Sequence, residues 1–375
     1  MRFSAIIGQQ KVKNQLINLS RDGKVSHAIL FCEEQGYGAL PLAIAFAQYN
    51  SCPNKSEHDS CGTCATCNKF QKLIHPDLHF ALPVSSTKKV TSDKKPVSDH
   101  FIEEWRLSVI ENPNLTEQDW YEKIGVDNKL GFIGVNEASL ILKKLSLRSF
   151  EGGDKYMIVW LPERMNQEAA NKLLKLIEEP PAGTYIFLVS QAPEKIIPTI
   201  ISRCQIFRIA PLEIEELGNK LALEFSISEE DSIFWAKISG GSISKAREII
   251  KDSVEESSNH QQLIRLLEGC VEKDMVRVIA FWEEIALTNR ERQKQFCFYA
   301  LEFIRRVYMV SLGIEEISNT PGSQREIVSQ WAKRIKPAFY SKGYDSINGA
   351  LTDIERNVNS KYIFSDLSNR FFLSL

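Results

Sequence analysis

The sequence predicts an α/β fold built around a parallel sheet, and three observations carry that expectation. Tyr156–Leu161 and Tyr185–Ser190 are short apolar runs, rich in aromatic and β-branched residues and without polar alternation, as strands buried on both faces require. Between them Gln167–Glu178 has a helical period. Ala170, Leu173, Leu174 and Ile177 share one stripe, Asn166 stands at the N-cap, and Pro180-Pro181 stop the helix. A third apolar run, Cys204–Ile209, follows, and strand–helix–strand in this order is a βαβ unit.

Two segments, NKLLKLIEEPP and FLVSQAPEKIIPTIISRCQIFRI, resemble the clamp-loader branch of the AAA+ ATPases in motif type and spacing. The resemblance implies an AAA+ P-loop-type parallel sheet with an embedded zinc module, a helical lid and an all-α C-terminal collar domain. It places the AAA+ core at 1–210, with the zinc module at about 50–75 and an insertion at about 84–134. The lid follows at 211–255 and the oligomerisation domain at 256–375.

The whole chain sets bounds. A length of 375 residues predicts two or three domains. A formal net charge of -2 gives no global attraction to nucleic acid, so any DNA contact needs a local patch. There is neither a signal-peptide pattern nor an apolar run long enough to span a bilayer, so a cytoplasmic location without membrane contact is expected.

In chain order, Phe3–Ile7 leads into a helix over Gln10–Leu19, with Val12, Leu16 and Leu19 on one stripe. His27–Phe31 reads as the first core strand, with His27 structural at its start. The next loop stands where the family binds nucleotide. A working GxxxxGK[ST] loop cradles phosphate with backbone amides, meets it with Lys and holds magnesium with a hydroxyl. Here Gly36 and Gly38 remain, but Ala39 replaces the Lys, Leu40 replaces the hydroxyl, and Glu33 puts a carboxylate at the first glycine. A loop with an added anion and no cation should bind polyphosphate poorly. The family's acidic pair falls on Trp160 and Leu161, leaving only Glu163 nearby as a first-turn charge. ATP hydrolysis, and functional ATP binding, are therefore not expected.

Four of the eight cysteines, Cys52, Cys61, Cys64 and Cys67, lie close together as a loop followed by two overlapping CxxC steps. Four thiolates suit tetrahedral, structural Zn²⁺; an iron–sulfur cluster or free thiols are the other readings, and His58 is a spare ligand. The same spacing occurs in the zinc module of bacterial clamp loaders. Cys32, Cys204, Cys270 and Cys297 are read as core residues, and His75-Pro-Asp77 as a turn.

Val84–Lys95 is polar and basic, with Lys88, Lys89, Lys94 and Lys95, and reads as a solvated loop. Helical Phe101–Ile110 and Asp119–Ile124 follow, carrying Trp105 and Trp120. Val135–Arg148 is helical, with Lys143, Lys144 and Arg148 on its surface. In the family this helix faces DNA.

Arg203, read from its own residue type, caps a helix end or pairs with a surface carboxylate. The resemblance of TIISRCQIF implies more: an arginine finger projecting into a neighbouring subunit's ATP site. Beyond Pro211 only helical periods appear, over Glu213–Phe225, Glu229–Ser239 and Ser244–Asp252. Ser244 stands where active subunits carry an ATP-sensing Arg. Polar Val254–His260 reads as a hinge, and Trp282, Phe296, Phe298, Phe303, Tyr308 and Trp331 as interior residues beyond it.

The resemblance thus implies a non-hydrolysing clamp-loader subunit of the bacterial replisome. Its partners would be the motor (tau/gamma) subunits, the clamp-opening delta subunit, indirectly the sliding clamp, and primer-template DNA within the complex. The alternatives are an active motor ATPase with a degenerate P-loop and a zinc-dependent DNA-binding repair factor.

Overall fold

The computed structural model describes residues 1–87, 89–91, 95–126, 130–314, 322–356 and 358–375. Helix α1 (Gln10–Arg21) precedes strand β1 (Ala28–Cys32), helix α2 (Ala39–Ser51), the short α3 (Ala65–Gln71) and β2 (Leu78–Ala81). Helices α4 (Ile102–Glu111), α5 (Glu117–Ile124) and α6 (Val135–Ser146) lead to β3 (Lys155–Trp160). Then come α7 (Gln167–Glu178), β4 (Thr184–Ser190), α8 (Pro198–Ile201) and β5 (Gln205–Arg208). The five strands are parallel, in the order β2-β3-β4-β1-β5.

The unbroken apolar runs are explained by burial on both sheet faces. In β1, Ile29 and Phe31 pack with Tyr156, Ile158, Trp160 and Phe187 against residues of α1, α2, α4 and α5. The alternate residues Ala28, Leu30 and Cys32 pack with Met157, Val159, Ile186 and Leu188 against α6 and α7. Helix α2 is apolar on every side and is buried from Ala39 to Tyr49. Helix α7 begins where expected, with Asn166 Oδ1 accepting the Ala169 amide at 2.8 Å.

The stretch carrying the added helices is part of the core. Trp105 and Trp120 are fully buried, their rings 5.3 Å apart, and Trp105 lies 5.1 Å from Trp160. The Trp120 indole donates to the Pro83 carbonyl at 2.9 Å. Val84 and Val90 are also buried, so the stretch read as a solvated loop is anchored at both places. Lys89 is exposed and pairs with Glu104 at 2.5 Å, whereas Lys88 and Lys94 lie outside the described residues.

Helices α9 (Ile214–Phe225), α10 (Glu229–Ile238), α11 (Ile243–Val271), α12 (Met275–Ala286), α13 (Arg290–Ser311), α14 (Gly322–Arg334), α15 (Pro337–Glu355) and α16 (Ser360–Ser374) complete the chain. Two compact units result: Met1–Phe225 with Ala236–Ala246, and Ser226–Trp235 with Arg247–Leu375. The chain crosses between them three times: at the end of α9, within α10 and within α11. The hinge expected at Val254–His260 is instead helical, because that polar stretch contains neither Gly nor Pro to break the 29-residue α11. In the second unit Phe296, Phe303, Trp331, Phe339, Phe364 and Phe371 form the core. Phe298 and Tyr308, expected inside, are 60% and 40% exposed. The buried stripe of α13 runs through Phe296, Ala300, Phe303 and Val307, and the helical period turns Phe298 away from it.

Truncating Trp105 to Ala should lower unfolding free energy by about 3–5 kcal/mol. Asn166→Ala, which removes only a helix cap, should lower it by about 1 kcal/mol. Denaturant midpoints will order the two, and equal losses would contradict the packing described.

Candidate functional site

The loop from β1 to α2 holds its own anion. Glu33 is 9% exposed, and its Oε2 accepts the backbone amides of Tyr37 at 3.0 Å and Ala39 at 2.8 Å. Burial pushes the Glu33 carboxyl up to about 7, against the opposing pull of the amides of Ala39, Gly38 and Tyr37. The far side of the loop is closed as well. Ser242 Oγ donates to the Gln35 carbonyl at 2.6 Å, the Ile243 amide donates to the Gly36 carbonyl at 3.1 Å, and Ser244 Oγ donates to the Asn114 carbonyl at 2.5 Å. Gly36 has φ +88°, and a Cβ there would lie 2.6 Å from Ser242 Oγ and 2.7 Å from Ser244 Oγ. Only glycine fits this approach.

Ala39 and Leu40 are buried at the start of α2 and offer neither a cation nor a hydroxyl. Trp160 and Leu161 are 1% exposed, and the Trp160 ring packs on Trp105. Glu163 is a structural acceptor: its Oε1 takes the amides of Gln191 at 2.9 Å and Ala192 at 3.1 Å. Sequence reasoning located Ser244 but missed Asn114, whose carbonyl Ser244 meets. An asparagine in a turn carries no sign of such a contact. It also took Glu33 for a repelling charge, although the nearby amides give the carboxyl partners.

The four cysteines come together as the spacing predicts. The Sγ atoms of Cys52, Cys61, Cys64 and Cys67 all lie within 4.8 Å of one another, and Cys61 and Cys67 are 3.8 Å apart. Tetrahedral zinc–thiolate bonds of about 2.3 Å place sulfurs about 3.8 Å apart, so the donor set fits. Backbone amides already face the sulfurs: Cys61 N to Cys52, Cys64 N to Cys61 and Cys67 N to Cys64, each at 3.4 Å. The amides of Thr63 and Cys64 pull the Cys61 thiol down to about 6, while burial pushes Cys67 up to about 12. These four thiols can bind a metal ion such as zinc, and His58 is not among them. The loop between Cys52 and Cys61 is tied to the chain start. Asp59 accepts the amides of Phe3 at 3.1 Å and Ser4 at 2.9 Å, and Gln48 donates to Ser60 Oγ at 2.9 Å.

Arg203 lies just after α8. Its Nε donates to Glu178 Oε2 at 2.9 Å and its Nη1 to the Thr199 carbonyl at 3.0 Å, with a third of the side chain exposed. Among the other basic groups, Lys144 pairs with Asp99 and Lys172 donates to Ser139 Oγ at 2.7 Å, whereas Lys143 and Arg148 are exposed. Among the described residues no helix is long and apolar enough to cross a membrane.

A parallel sheet of this order, with a glycine loop joining its β1 strand to a buried helix, is a P-loop-type α/β arrangement, here with Ala39 and Leu40 at the start of that helix. Residues 8–213 match the family described as DNA polymerase III, delta subunit, and the chain belongs to that family. It is 27% identical over 230 residues to the DNA polymerase III subunit delta' of Escherichia coli, covering 61% of this chain and 55% of that one. To the subunit tau of the same organism it is 21% identical over 367 residues, covering 92% of this chain and 50% of that one. The chain thus spans about half the length of the curated relatives it matches. A DNA polymerase III gamma subunit-related protein of Thermotoga maritima aligns with 96% of this chain and 99% of its own, at 15% identity and a TM-score of 0.32.

The Glu33 geometry predicts a pH dependence. Its folded pKa lies above the ordinary 4.5, so the native state holds an extra proton. That contribution to stability is complete below about pH 4.5 and is lost as pH rises through about 7. Glu33→Gln keeps an acceptor oxygen but cannot ionise. Its stability relative to the parent should rise between about pH 5 and pH 8, by up to about 3 kcal/mol. Urea unfolding across that range reads the difference, and a flat difference contradicts the assignment.

Proposed function

We propose that this chain is a non-hydrolysing, delta-prime-type subunit of a bacterial clamp loader. It would be a component of the DNA-directed DNA polymerase holoenzyme with no ATPase activity of its own. The carrying observation is the phosphate loop: its amides are taken by Glu33, and Ala39 and Leu40 stand where a cation and a magnesium ligand are needed. Such a chain acts through its neighbours. Its partners are the motor (tau/gamma) subunits and the delta subunit, and through them the sliding clamp and primer-template DNA. The helical region 256–375 serves as the oligomerisation collar.

In this reading Arg203 is the arginine finger supplied in trans. Its present bonds do not oppose the role. An exposed pair such as Arg203–Glu178 is worth about 0–1 kcal/mol, so a polyphosphate in the partner's site would outbid the carboxylate. The four cysteines hold structural Zn²⁺, which would fix the Cys52–Gln71 module and, through Asp59, the chain start.

Clamp loading and stimulated ATP turnover should be measured in a loader reconstituted with the chain, without it, and with Arg203→Ala. The Ala variant should assemble normally and lower turnover at the neighbouring site by on the order of 10³-fold. Arg203→Lys should not restore it, because Lys lacks the planar fork. Full activity of Arg203→Ala would remove the finger. ATP turnover by the intact chain alone would favour a motor ATPase.

Metal analysis should give one zinc per chain, bound by the four thiols. Cys64→Ser should lower zinc content and speed proteolysis within 52–72. Purified chain with four titratable thiols and no zinc would remove the metal assignment.

A further inference from the structure

The amides of Tyr37 and Ala39 are the groups that a working phosphate loop turns toward its ligand. In this chain both donate to one oxygen of Glu33. So held, the loop presents the carbonyls of Gln35 and Gly36 to Ser242 Oγ and the Ile243 amide. The close approach at Gly36 leaves no slack between the loop and the Ser242–Ser244 segment. In a nucleotide-binding protein these two pieces have a ligand between them to hold them in register. Here they meet directly, through the Ser242 hydroxyl and the Ile243 amide, while Glu33 holds the loop from its other side.

We propose that the Glu33 carboxyl is an internal ligand for the loop. It takes the place of a phosphate oxygen and keeps the loop and the Ser242–Ser244 segment joined with nothing bound. The inference rests on the non-hydrolysing reading, since a nucleotide would compete for the same amides. The tie needs an acceptor oxygen rather than a charge, so it survives protonation. Glu33→Gln keeps such an oxygen and Glu33→Ala removes it.

Hydrogen exchange on the full-length chain tests this. At about pH 5, where the parent carboxyl also holds its proton, Glu33→Gln should exchange within about twofold of the parent. Glu33→Ala should exchange at least about tenfold faster in both 36–40 and 242–246, while Thr184–Ser190 in β4 stays as slow as before. Unchanged exchange in the Ala variant overturns the proposal. So does faster exchange in 36–40 with 242–246 unaffected. A second variant keeps the test open if Glu33→Ala fails to fold. Ser242→Ala should loosen 242–246 and leave the Tyr37 and Ala39 amides protected, and equal loss at those amides overturns the tie. Exchange reads only this contact. The non-hydrolysing reading is decided separately, by ATP turnover of the intact chain, so failure of one is distinguishable from failure of the other.

Discussion

Two amide-to-carboxyl hydrogen bonds at the head of α2 decide how the first unit is arranged. Backbone N–H groups at a helix start have no partners within the helix, and a buried donor left unpaired costs about 1–3 kcal/mol. A nucleotide would meet that need in an ATPase. With Glu33 meeting it, the loop can be closed by serines and by a carbonyl of the α4–α5 stretch. The buried α2 and the central strands that pack on it are largely apolar.

Much of this was legible in the sequence. The strands β3 and β4 are marked by unbroken apolar runs because both faces of the sheet are covered, and α7 by its stripe, its Asn166 cap and its prolines. The cysteine spacing announced a cluster that the fold assembles. What the sequence hid is what depends on distant pairing. Glu33 read as an unfavourable charge because its partners are backbone amides, which no side-chain pattern reveals. The polar run in α11 read as a hinge, although polar residues without Gly or Pro do not by themselves break a helix. Phe298 and Tyr308 read as interior from residue type alone, whereas helical phase sets exposure.

The metal-binding thiols and Arg203 belong to different levels of constraint. The thiol cluster is held by local turns and by Asp59 and Gln48, which bind the chain start to the same loop. Among the described residues the Arg203 side chain is held by a surface carboxylate and a helix-end carbonyl. The cysteine loop is tied by several contacts, whereas the Arg203–Glu178 pair is exposed and weak.

The contact of Trp105 with Trp160 has a consequence for how this chain can change. The Trp160 ring is the seat on which the α4–α5 stretch rests. An Asp introduced there would be an unpaired charge in a core of indoles, and would also leave a void the size of a tryptophan. A carboxylate could enter this position only together with changes that refill the space and give the charge a partner, so the mutual packing of three indoles holds position 160 more firmly than any single contact does.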